Sequence, residues 1–246
     1  MTIITSKSNA LIKATRKLLQ KKYRTQSYLI EGWHLFEEAT KSGASFRHVF
    51  VEESQVDKVA NFPQVHLVTA EILKSLTDSR SPQGIVAEVE MAELSQADLS
   101  QGRYLVLEDV QDPGNLGTLV RTADAAGFDG VFISEKSADL YNLKTLRSMQ
   151  GSHFHLPIYR TDVLDLVKSC RAAGLMTLAT TLSQSSVDYR SLARYDSFAL
   201  IMGNEGQGIS QDMAEAAEQL VHITMPGQAE SLNVAIAAGI LMFHLL

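Results

Sequence analysis

Residues 104–134 read YLVLEDVQDPGNLGTLVRTADAAGFDGVFIS, and the order of patterns within them decides the fold. An apolar run at 104–110 is followed by a segment of helical spacing at about 114–127 and by a second apolar run at 130–134. Strand, helix and strand in succession point to a parallel sheet. The alternation continues downstream with LMTLATT (175–181), SFALIMG (197–203) and LVHITM (220–225), and a last helix is expected from Ser231. The fold class is therefore α/β, a parallel sheet covered on both faces by helices. Ligands in such sheets sit beyond the carboxyl ends of the strands, so the loops after Asp109, Met202 and Met225 are where a site is expected.

Upstream, short β-rich runs at 28–30, 48–51, 65–68 and 84–89 are separated by helix-like segments at 31–41 and 70–77. They make a small α/β domain over 1–91. Residues 92–103, AELSQADLSQGR, hold few apolar side chains and read as a linker, leaving 104–246 as the larger domain. The first 30 residues contain seven Lys and Arg and no acid, whereas the remainder has 15 basic residues against 28 acidic ones. Charge is thus segregated along a chain whose net charge is −6. Ala10, Leu11, Ala14, Leu18 and Leu19 recur at helical spacing beside a basic stripe of Lys13, Lys17, Lys21 and Arg24, with Ser6 or Ser8 as a possible cap. Such a stripe is either a solvated surface or a phosphate-binding face, and the missing acids favour the second.

The composition, 45% apolar and 20% charged over 246 residues, excludes disordered, collagenous and coiled-coil chains. The longest apolar run, 234–243, is ten residues, short of the roughly 20 that span a membrane. No membrane association is expected, the N-terminus lacks the apolar core of a secretion signal, and one cysteine, Cys170, read as a buried inert thiol, fits a reducing cytoplasm. His153 and His155 would face the same way in a strand, but without a third ligand no metal site is expected. Trp33, Tyr28 and Phe36 suit core packing better than base stacking, and Met202, Met225 and Met242 read as core filler.

The three loops hold the unusual residues. In the first, Gly114 and Gly117 allow close backbone approach, Asn115 offers a polar tip, and Arg121 follows one to two turns into the helix. In the second, IMGNEGQGIS (201–210), three glycines flank Glu205. In the third, ITMPGQAESLNVAIAAGILMF (223–243), Ser231 and Asn233 stand at the mouth of a wholly apolar helix, where Ser231 is either a functional group or simply the N-cap. There is no GxGxxG, no P-loop and no GxSxG elbow, which sets aside a standard dinucleotide-dependent oxidoreductase and an α/β-hydrolase.

In this order and spacing the three segments resemble the signature motifs of the SpoU/TrmH family of RNA methyltransferases, of the SPOUT superfamily. The resemblance covers residues 104–246, and YLIEGWHLFEEA (28–39) is similar to the family's small substrate-binding domain. It implies S-adenosyl-L-methionine as methyl donor and methylation of a ribose 2′-hydroxyl in structured RNA, ribosomal more than transfer RNA. It also implies a trefoil knot near the C-terminus and a homodimer whose sites borrow across the interface. Position by position, Asn115 and Arg121 match the first motif, Glu205 the second, and Ser231 and Asn233 the third, as the catalytic set. Gly203, Ile223, Met225 and Leu232 match cofactor-binding positions, and the stretch 141–156 places Lys144 and Arg147 near RNA, together with the basic stripe.

Methyl transfer from a sulfonium is an in-line displacement, so the site has to align a ribose oxygen and help it lose its proton. Arg121 either accepts that proton or stabilises the charge that develops on the oxygen. Ser231 and Asn233 can position the ribose, and Glu205 can orient Asn115 or Arg121. A base methyltransferase of the same fold and a non-catalytic RNA-binding protein are the alternatives. The intact polar set argues against the latter.

Overall fold

The computed structural model describes residues 2–246, and the chain divides into two compact units. One holds the chain up to Glu93 together with Asp139–Phe154, and the other holds Leu94–Ala138 and His155–Leu246.

In the first unit, helix α1 (Ala10–Lys17) starts at Asn9, whose side-chain oxygen accepts from the Leu11 and Ile12 amides at 2.9 and 3.4 Å. The cap is thus Asn9, not Ser6 or Ser8. The buried face carries Ile12 and Thr15, while Ala10, Ala14 and Leu19 are exposed. The expected apolar stripe was misplaced because alanines do not decide a face and the helix ends before Leu19. Strand β1 (Ser27–Glu31), helix α2 (Trp33–Lys41), strands β2 (Phe46–Glu52) and β3 (Val65–Val68), helix α3 (Ala70–Lys74) and strand β4 (Ile85–Glu90) follow. The four strands form one sheet in the order β1-β4-β2-β3, with β4 antiparallel to both neighbours and β2 parallel to β3. Tyr28 of β1 and Phe36 of α2 are buried, and the Trp33 indole N–H donates to the Gln83 carbonyl at 3.0 Å.

The second unit opens with β5 (Arg103–Leu107), α4 (Pro113–Ala125) and β6 (Gly130–Ile133). The chain then leaves it for residues 139–154, which contain α5 (Leu143–Met149) and pack with the first unit. This segment was expected within the larger domain. Leu143, Leu146 and Met149 are buried, and α5 lies against β1. His153 sits in a 3-10 turn of that segment and its Nε2 is 3.1 Å from the Tyr28 hydroxyl, so the strand pairing it with His155 does not form.

Back in the second unit, β7 (Ile158–Arg160), α6 (Val163–Ala172), β8 (Met176–Thr180), β9 (Val187–Asp188), β10 (Phe198–Met202), α7 (Gln211–Ala216), β11 (Gln219–His222) and α8 (Val234–Leu245) complete the chain. All seven strands are parallel, in the order β7-β6-β5-β10-β8-β11-β9. Tyr104, Val106, Ala199 and Ile201 point to one face and bury against Val163, Val167 and Cys170 of α6 and Met213 of α7. The other face packs beneath α4 and α8, which lie against each other. Burial pushes the Cys170 thiol up to about 11, so it is protonated and unreactive at neutral pH. The order places β6 and β7 on one side of β5 and every later strand on the other. The switch point therefore falls between β5 and β10, whose pairing continues past the strands with Glu108 N–H donating to the Met202 carbonyl at 2.9 Å. Among the described residues no helix is long and apolar enough to cross a membrane, and no group of three or more His, Cys, Asp and Glu is arranged to hold a metal ion.

Candidate active site

The switch point brings the first and second loops together. Glu205 accepts from the backbone amides of Gln111 (3.1 Å) and Asp112 (2.9 Å) and from the Asn115 side-chain amide (3.2 Å). Asp112 is the N-cap of α4, its side chain accepting from the Asn115 amide at 2.9 Å, with Pro113 in the first turn. The start of α4 is thus fastened from both sides, and Asn115 is turned inward from it.

The third loop joins through Asn233. Its Nδ2 donates to Asn115 Oδ1 at 2.9 Å, while its own Oδ1 accepts from the Ala235 and Ile236 amides and caps α8. Asn233 rather than Ser231 is therefore the N-cap, because a short polar side chain adjoining the first helical residue reaches these amides. Ser231 is left exposed on the loop. Asn115, Glu205 and Asn233 form one hydrogen-bonded chain. Arg121 is not part of it. It lies six residues farther along α4, a rise of about 9 Å, is exposed, and has no hydrogen-bond or ion-pair partner among the described residues.

Beside this cluster, over the carboxyl ends of β10, β8 and β11, lies a cavity of about 400 Å³. Gly203, Ile223, Met225 and Leu232 all line it, as do Ser231 and Glu205. Met225 lines this cavity and so does the buried Met202, so neither is mere core filler; of the three only the buried Met242 is. Thr180, Thr181 and Leu182, at the end of β8, complete a wall that motif reading passed over. The carboxyl-end rule applied to LMTLATT would have found them. Two more residues were missed. Glu108 accepts from the Ser210 amide (2.8 Å) and hydroxyl (2.6 Å), and Asn204 accepts from the Gly206 (2.9 Å) and Gln207 (3.1 Å) amides in an Asx turn, for which Asn before Gly was the signal.

Burial opposes ionisation of Glu205, but the Asp112 and Gln111 amides and Asn115 outweigh it and hold its carboxyl below the usual 4.5. A depressed carboxyl stabilises the fold above its ordinary range, and that contribution is lost as pH falls through the folded value. Glu205→Gln is therefore expected to lower stability by about 1 kcal/mol at neutral pH, discounted for solvent screening. The deficit should close in acid, where the native carboxyl is itself protonated. Thermal melts at a series of pH values check this, and a deficit independent of pH would refute it.

In the first unit, Lys13, Lys17 and Lys21 are exposed, but α1 ends at Lys17 and Lys21 lies in a separate 3-10 turn, so they do not form the single helical stripe expected. Arg24 is not available to a ligand. Its side chain is 5% exposed, paired with Asp139 at 2.5 Å and donating to the Tyr141 carbonyl. Arg147 is half-buried and paired with Asp78 (2.7 Å) and Glu31 (3.4 Å), while Lys144 is exposed on α5. Charge counting along the sequence could not see acids that folding brings from far away.

Fold and site together define a parallel α/β unit with a ligand cavity beside its switch point, and a smaller unit with a basic surface. Residues 102–243 match the SpoU rRNA Methylase family, and residues 9–87 match the MRM3-like substrate binding domain. The chain belongs to the SpoU rRNA methylase family. It is 41% identical to the 23S rRNA (guanosine(2553)-2'-O)-methyltransferase RlmP of Bacillus subtilis (strain 168), over 100% of this chain and 99% of that protein. The crystal structure of the AdoMet-bound rRNA methyltransferase from Sinorhizobium meliloti superimposes with a TM-score of 0.87 at 36% identity, covering 99% of this chain and 97% of that one. The SpoU methyltransferase AviRb from Streptomyces viridochromogenes, in complex with AdoMet, gives 0.84 at 26% identity, over 96% of this chain and 97% of that one.

Proposed function

We propose that this protein transfers a methyl group from S-adenosylmethionine to a ribose 2′-hydroxyl of ribosomal RNA in the cytoplasm. The observation that carries the reading is the cavity beside the Asn115–Glu205–Asn233 chain. The cavity fits the cofactor. Its volume is within the range of small-ligand sites, about 300–1,000 Å³, and Val221, Ile223, Leu232 and Leu241 give it an apolar wall for a purine. No Lys or Arg lines it and the Glu205 carboxylate does, which suits a cationic sulfonium. Gly203, Ile223, Met225 and Leu232 would hold the cofactor, which when bound supplies an electrophilic methyl group.

The chain's own polar residues would then orient the acceptor. Asn115 spends one N–H on Glu205 and one lone pair on Asn233, so one donor and one acceptor remain for a ribose hydroxyl. A guanidinium is a poor proton acceptor, so Arg121 serves more readily as a stabiliser of developing negative charge than as a base. Its distance from the cluster along α4 fits completion of the site by a second copy of the chain. Ile236 and Phe243 on α8, 58% and 57% exposed, supply an apolar stripe for that homodimer. In this reading the C-terminal loops thread as a trefoil knot, and Lys13, Lys17, Lys21 and Lys144 meet RNA phosphates.

The test is chemical. Once the modified nucleotide is mapped by comparing ribose methylation in RNA with and without the protein, an RNA carrying a single 2′-deoxy nucleotide there is assayed with labelled cofactor. Binding should persist, because phosphate contacts are unchanged, while methyl transfer vanishes with its nucleophile. Continued transfer would exclude the 2′-oxygen and point to the base.

A further inference from the structure

Asp109 follows β5 with a backbone φ of 56°, in the left-handed region that side-chain-bearing residues rarely adopt. Its neighbours hold it there. The Asp109 amide donates to Ser134 Oγ at 2.9 Å, and that hydroxyl donates back to Asp109 Oδ1 at 2.7 Å, closing a small ring. Ser134 is buried and within 3.0 Å of the Ser137 hydroxyl, and Lys136 Nζ is 3.6 Å from Asp109 Oδ2. The Asp109 carbonyl accepts from Asn204 Nδ2 at 2.9 Å, which ties it to the second loop. One residue on, the Val110 carbonyl accepts from the Ala138 amide at 2.8 Å.

The platform under Asp109 is itself clamped. The Arg160 guanidinium at the end of β7 donates to the carbonyls of Ser134 (2.7 Å), Glu135 (3.1 Å), Ser137 (3.2 Å) and Ala138 (2.7 Å). Rigid elements thus converge on a single residue just before the two amides, Gln111 and Asp112, that grip Glu205. A straight β conformation at Asp109 would send those amides elsewhere.

We propose that Asp109 is a positioning residue, whose left-handed backbone and Ser134-bound carboxylate set the path of the 110–112 loop and hence the aim of Asn115. Its kinetic readout rests on the methyltransferase reading, whereas its structural readout does not. Three substitutions in the full-length protein separate the parts. Asp109→Asn keeps a side-chain oxygen for Ser134 and tolerates positive φ, Asp109→Gly keeps only the backbone freedom, and Asp109→Ala keeps neither. Turnover with labelled S-adenosylmethionine and RNA should stay near wild type in Asn, fall in Gly, and fall furthest in Ala, by roughly 10- to 100-fold in kcat with KM little changed. Amide exchange followed by NMR should show protection of Gln111 and Asp112 reduced in the same order, with Leu105 and Val221 protected as before.

Equal protection and turnover in Asn and Ala would overturn the proposal. So would an Asn variant as impaired as Ala, which would make the carboxylate charge itself the active feature. If Ala fails to fold, the Asn–Gly difference decides alone. If wild type methylates no RNA, the functional reading fails while the exchange series still decides the role of Asp109.

Discussion

Replacing Arg121 with alanine is expected to cut methyl transfer by roughly 10²–10³-fold, the scale of removing a group that stabilises developing oxyanion charge. S-adenosylmethionine affinity should be intact, because Arg121 does not line the cavity. Stability should be intact as well, since the side chain is exposed and has no hydrogen-bond or ion-pair partner among the described residues. Arg121→Lys should fail nearly as badly, because an ammonium cannot reproduce a planar guanidinium fork. Single-turnover assays, calorimetry with cofactor and thermal melts separate these effects. Full activity in the Lys variant would reduce Arg121 to a generic positive charge, and lost cofactor affinity would move it to the cavity.

Gly203→Ala is expected to weaken cofactor binding more than any other single-methyl change in the loop. A Cβ there would lie 2.2 Å from the Gly208 carbonyl carbon, 2.3 Å from the Ile209 nitrogen and 2.4 Å from the Gly208 oxygen. All three are backbone atoms, so no rotamer relieves the clash. The Asn204–Gly208 pair, joined by two 2.9 Å hydrogen bonds, has to open. Overpacking of this kind costs roughly 1–3 kcal/mol, or about 5- to 150-fold in affinity if it falls on the bound loop. Gly206→Ala is the control, because a Cβ there meets only Asn204 Oδ1 at 3.7 Å. Calorimetry on both variants gives the contrast, and indistinguishable affinities would show that the loop does not shape the cavity.

The buried strands β5, β8 and β10 were legible because a parallel strand covered on both faces is a nearly continuous apolar run. The short strands β7 and β9 left no such signature in three and two residues. In the site, Asn115 and Glu205 stood out as polar residues among glycines and Asn233 as a polar residue at the mouth of an apolar helix, yet their mutual contacts span 90 and 118 positions and could not be read from spacing. Ser231 and Asn233 are both good cap residues near one helix start, and only geometry chooses between them. Arg24 looked available because no acid lies nearby in sequence, but its partner, Asp139, is 115 residues away.

The excursion of residues 139–154 makes the two units inseparable by a single cut. A fragment beginning near Leu94 would retain α5 while losing β1, the strand it lies against, and would expose Leu143, Leu146 and Met149. Deletion of the first unit thus measures an orphaned hydrophobic helix as much as a missing basic surface. An autonomous catalytic fragment needs two edits, removal of the N-terminal chain and replacement of 139–154 by a short bridge from Ala138 to His155. Gain or loss of the smaller unit in a relative would likewise need two coordinated changes in its gene.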